Sequence, residues 1–99
     1  MPNQRSPRGD DPIAYNVTVT VTILLFAGAA ERAGTRRLEI PSEPDDTVER
    51  VRDRVVACRP AIAPLLPTLL YALNEEYVKP SAAVSPGDTL AFIPPVSGG

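Results

Sequence analysis

Ninety-nine residues, 10 basic and 12 acidic for a formal charge of −2, make one small domain, which hides only about 60% of the surface its unfolded chain exposes. That leaves little depth for an enclosed active site, and the scattered basic residues form no stripe for nucleic acid. The absence of histidine removes the commonest general base and metal ligand, and the single cysteine, Cys58, excludes an internal disulfide or a multi-thiolate metal site.

Residues 1–16, "MPNQRSPRGDDPIAYN", carry too few apolar side chains to repay the entropy of ordering and are expected to form a flexible arm. They lack the apolar run of a signal peptide. The stretch "VTVTVTILLFAGAA" is too short, and too rich in threonine, to span a bilayer. A reducing cytoplasm and no membrane partner are expected. From Val17 apolar and polar residues alternate, with Val17, Val19, Val21, Ile23 and Leu25 on one face and Thr18, Thr20 and Thr22 on the other. This predicts a strand. Leu24 and Phe26 make its second face apolar near the end, so either a helix or a partner must cover it.

"GAAERAG" predicts two helical turns closed by a left-handed Gly34, and "TRRLEIP" a second strand stopped by Pro41. In "DDTVERVRDRVVAC" Asp46 or Thr47 can cap a longer helix, with Glu49 able to answer Asp46 in a capping box. Arg50, Arg52 and Arg54, interleaved with Glu49 and Asp53, read as its solvated face. Cys58 continues the stripe of Val48, Val51 and Val55 and is expected to be a small buried hydrophobe. Pro60 ends the helix. "PAIAPLLP" permits only a short irregular or tight helical turn, pinned to the core by Ile62, Leu65 and Leu66.

"TLLYALNEEYVKP" reads as strand, turn over Asn74 to Glu76 and short return strand, and "SPGD" as a type II turn with Gly87 at positive φ. "TLAFIP" is the last strand. This order predicts an α+β, β-grasp (ubiquitin-like) domain over 17–99, a mixed sheet of about five strands crossed by one long helix. The last strand would be central, and a tail from Pro94 to Gly99 would leave it. Pro94 and Pro95 favour a stiff extended backbone, and the five residues from Pro95 could reach about 17 Å. Gly98 and Gly99 have no Cβ and could thread a narrow passage. The carboxylate they would deliver is ionised and unreactive until a partner activates it.

The terminal "GDTLAFIPPVSGG", with "ILLFAGAAERAG", "TVERV" and "LNEEYV", resembles the MoaD/ThiS group of ubiquitin-like carriers, specifically the small sulfur-carrying subunits of molybdopterin synthase. The resemblance covers roughly Val19 to Gly99. It implies that an E1-like adenylyltransferase uses ATP to adenylate Gly99, which is then thiocarboxylated with sulfur from a donor protein. The tail, with Pro94, Pro95, Val96, Ser97 and Gly98, would enter a pocket of the synthase large subunit, where the catalytic groups are expected. Sulfur would pass to cyclic pyranopterin monophosphate, with no cofactor or metal bound to the carrier. Phe26 and Phe92, with Leu24 and Ile93, would lie on the partner-docking surface, or else pack inside. Many relatives carry an arginine where this chain has Ala30, although Arg32 lies nearby.

Three other readings stay open: a sulfur carrier for thiazole synthesis or another sulfur pathway, a ubiquitin-like modifier of protein lysines, and a binding module without covalent chemistry. An independent enzyme would have to rely on the carboxylate pairs Asp45 and Asp46 or Glu75 and Glu76, which more simply serve a helix cap and a turn.

Overall fold

The computed structural model describes residues 19–95. The arm expected over 1–16, Val17 and Thr18 of the expected first strand, and Val96, Ser97, Gly98 and Gly99 lie outside the described residues. Five strands, β1 (Thr20–Leu25), β2 (Arg37–Pro41), β3 (Leu70–Leu73), β4 (Glu76–Val78) and β5 (Thr89–Ile93), form one sheet in the order β2-β1-β5-β3-β4. The helices are α1 (Ala27–Ala33), α2 (Val48–Cys58) and a 3-10 helix, Pro60–Thr68. Only β1 and β5 pair in parallel; the other neighbours are antiparallel, so the sheet is mixed and its last strand central, as in a β-grasp domain.

Alternation sets the core. Val21, Ile23 and Leu25 of β1 are buried, and β5 adds Leu90 and Phe92 beside Tyr71 of β3. Val48, Val51 and Val55 lay the apolar stripe of α2 into this layer, and Ile62 seals it from the 3-10 helix. Each such side chain contributes about 1.5–3 kcal/mol on leaving water. Tyr71 and Phe92 meet edge to face with ring centroids 5.5 Å apart, the arrangement that aromatic quadrupoles favour. Val19, expected to belong to the buried face of the first strand, precedes β1 and is 47% exposed.

Several local readings hold and others need correction. Gly34 closes α1 at φ 77°, its N–H donating to Ala30 O. Thr47 caps α2 by accepting from Arg50 N at 3.3 Å. The capping box with Asp46 does not form, because Asp46 is buried and turned to Arg54. Arg54 is therefore no part of a solvated face. The remaining first-turn N–H groups of α2 are met by the loop before β5, with Val48 N donating to Ala82 O and Glu49 N to Pro80 O. Cys58 is exposed, not buried. The helix ends at that residue, and the next buried side chain along the chain is Ile62 of the following segment.

Candidate docking face and tail exit

The helices cover one face of the sheet. On the other, register decides what is displayed. Leu24 pairs with Ala91, and Ala91 with Ala72, across β1, β5 and β3, while Ala72 pairs with Tyr77 on β4. Two alanines therefore form a low floor between larger neighbours. The result is an open hollow of about 550 Å³ lined by Leu24, Phe26, Ala72, Tyr77, Ala91 and Ile93, with Asn74, Glu75 and Thr89 also on its wall. Phe26 is 46% exposed and Tyr77 71% exposed. An apolar hollow framed by polar groups makes this side of the sheet the candidate interaction surface.

The polar wall is built for rigidity. Asn74 and Glu75 both adopt positive φ, 50° and 73°, giving the tight turn between β3 and β4, the twist that two-residue hairpins prefer. Asn74 Oδ1 accepts from Thr89 N at 3.0 Å, and its Nδ2 donates to Asp88 Oδ1 at 3.1 Å. Asp88 Oδ2 in turn accepts from Ser85 N at 2.8 Å, and Gly87, at φ 87°, completes the turn before β5. The Asn74 amide thus locks the hairpin to the start of the central strand. Among the described residues, no histidine, cysteine or lysine lines the hollow.

β5 ends beside this hollow, at Ile93 of its lining, and Pro94 and Pro95 follow. Phe26 N donates to Phe92 O at 3.3 Å, and β5 ends one residue later at Ile93. Pro94 and Pro95 carry no N–H and cannot extend the ladder. Pro94 is half-buried and Pro95 exposed. Immediately after Phe26 the chain takes a left-handed conformation at Ala27, φ 49°, which costs an L-residue about 1 kcal/mol. α1 starts at that kink, while Phe26, still extended at φ −120° and ψ 152°, continues the alternation of β1 on the side of Leu24, outside the core.

Of the four residues expected at a docking surface, three stand on the open side: Leu24 and Ile93 half-buried, Phe26 exposed, all lining the hollow. Phe92 does not. It is fully buried. In the parallel register it pairs with Leu25 and so shares the inward face. Sequence reasoning passed over Ala72, Tyr77 and Ala91, although the alternation of "TLAFI" already sets Ala91 beside Ile93 on one face. Arg32, near Ala30, turns to the 3-10 helix, its Nη1 3.5 Å from Ala61 O.

The description "ThiS family" fits residues 23–99, where that family's model matches. The chain belongs to the ThiS family. Among relatives, it is 38% identical over 82 residues to the molybdopterin synthase sulfur carrier subunit of Arabidopsis thaliana, covering 83% of this chain and 85% of that one. Among solved structures, SAMP1 from Haloferax volcanii is similar at a TM-score of 0.74 and 32% identity, covering 81% of this chain and 99% of that one. The Helicobacter pylori complex of subunits 1 and 2 of molybdopterin-converting factor contains a similarly folded chain, TM-score 0.60 and 18% identity, covering 81% and 99%. No described helix is long and apolar enough to cross a membrane.

Proposed function

We propose that this ThiS family chain is the sulfur-carrier subunit of a molybdopterin synthase. Its Gly99 carboxylate attacks the α-phosphorus of ATP on an E1-like adenylyltransferase, releasing pyrophosphate. A sulfide equivalent from a donor protein then displaces AMP, leaving a terminal thiocarboxylate. The observation that carries this reading is the likeness to named molybdopterin synthase sulfur carriers through a family match that runs to residue 99. It is supported by a central strand that ends in a diproline beside an open apolar face.

The face lined by Leu24, Phe26, Ala72, Tyr77, Ala91 and Ile93 docks the synthase large subunit, while Val96, Ser97 and Gly98 pass into its pocket. There the thiocarboxylate sulfur attacks cyclic pyranopterin monophosphate. The two glycines keep that passage narrow, and catalytic groups belong to the partner. Intact mass spectrometry of the chain taken from cells making molybdenum cofactor tests this. Replacement of one terminal oxygen by sulfur is the expected signature, and its absence, or sulfur transfer that survives deletion of Gly99, overturns the reading.

A second reading draws on the likeness to small archaeal modifier protein 1 of Haloferax volcanii, 35% identical over 83 residues. The same adenylate would then acylate a lysine amine of another protein. Isopeptide-linked conjugates ending in Gly99, without a thiocarboxylate, would favour it.

A further inference from the structure

Leu24 and Phe26 line a second hollow as well as the first. It holds about 390 Å³ between the end of β1 and α1, and Leu25, Ala27, Ala30 and Arg36 complete its lining. The small side chain of Ala30 leaves this space open. Arg36 is the one charged residue of the lining. Its guanidinium makes no ion pair or hydrogen bond among the described residues, whereas Arg37 is held by Glu39 at 2.9 Å and Arg32 by Ala61 O.

The backbone beneath Arg36 is fixed from both sides. Its carbonyl accepts from Leu25 N at 2.8 Å. Thr35 Oγ1 donates to Arg37 O at 3.0 Å and accepts from Arg37 N at 3.3 Å. An uncommitted guanidinium on an anchored turn, bordered by apolar surface, suits a carboxylate, which its planar fork can bind through two parallel hydrogen bonds. On a chain of net charge −2, a cation without a partner among the described residues also orients an approaching acidic group.

We propose that Arg36 receives an acidic side chain of the protein that covers the open sheet face, so that both hollows belong to one continuous interface. Leu24 and Phe26 are the shared border. The inference rests on the carrier reading, since it takes the molybdopterin synthase large subunit as that protein. A charge at the rim of an interface acts chiefly on association rate and its salt dependence.

The test measures association of the full chain with the large subunit at low and high salt. Arg36→Glu is expected to slow association about tenfold at low salt and to flatten the salt dependence, while Arg36→Lys keeps most of the rate and both variants melt with the parent. Phe26→Asp, which places a charge in the apolar border, is expected to abolish binding. Unchanged association of Arg36→Glu, in a chain whose binding Phe26→Asp destroys, overturns the role of Arg36 and leaves the carrier reading standing. Failure of the unaltered chain to bind overturns both.

Discussion

Arg54 grips Asp46 through two bonds, Nη1 to Oδ1 at 2.8 Å and Nη2 to Oδ2 at 2.7 Å, and so ties α2 to the loop that precedes it. Glu43 N adds a third hydrogen bond at 3.0 Å, and Arg54 Nη2 also donates to Pro41 O at 3.1 Å. The Arg54 guanidinium, with the Glu43 amide, holds the Asp46 carboxyl below the ordinary aspartate range despite burial. Asp46→Asn leaves a partly solvated cation facing a neutral amide and is expected to cost about 2 kcal/mol in chemical denaturation.

The same pair sets an acid limit. Because Asp46 binds its proton more weakly folded than unfolded, its contribution is complete above the unfolded value of about 4. It is lost as pH falls below that value through the depressed folded one. The parent is therefore expected to lose more stability than Asp46→Asn between neutral pH and about pH 3, as read by parallel thermal melts. Parallel pH profiles would show that this carboxylate is not the group concerned.

The two phenylalanines separate by experiment. Phe92→Ala opens a cavity under the sheet and is expected to cost about 3–5 kcal/mol. Phe26→Ala removes a ring that is 46% exposed and should cost no more than about 1 kcal/mol. Denaturant titrations of both variants check the difference, and equal losses would contradict their placement on opposite sides.

Glu75 occupies a position that favours glycine. At φ 73° it carries a Cβ in the left-handed region, and Glu75→Gly turns the hairpin into the preferred Asn-Gly pair. A gain of about 0.5 kcal/mol is expected, the relief of backbone strain being partly offset by the freer unfolded glycine. A lower melting temperature for this variant would show that the Glu75 side chain serves the hairpin in another way.

Cys58 is exposed at the end of α2. A thiol alkylating agent is expected to modify the native chain completely without denaturant, and labelling that waits for unfolding would place it inside after all.

Much of the architecture was legible because each element carried its own local physics. Alternation from Val21 to Leu25, the three-and-four spacing of Val48, Val51 and Val55, and glycines at positions 34 and 87 all act within a few residues of chain. The docking face was only partly legible, because β5 is apolar on both sides. "TLAFI" says that Ala91 and Ile93 oppose Leu90 and Phe92, but not which pair meets the helices. The Asp46 partner was equally hidden: a carboxylate before a helix suits a cap, and nothing in local spacing announces a guanidinium eight residues on.

Sequence by itself determined the strands, the two α-helices, their order and the tail motif of a ThiS family carrier, but not that Pro60–Thr68 runs as a continuous 3-10 helix. Tertiary structure decided which residues face outward and which charges are spent. Strand pairing fixes the phase of each side-chain alternation against its neighbours, and that phase set Phe92 in the core, opened the alanine floor beneath Phe26 and left Arg36 uncommitted among the described residues.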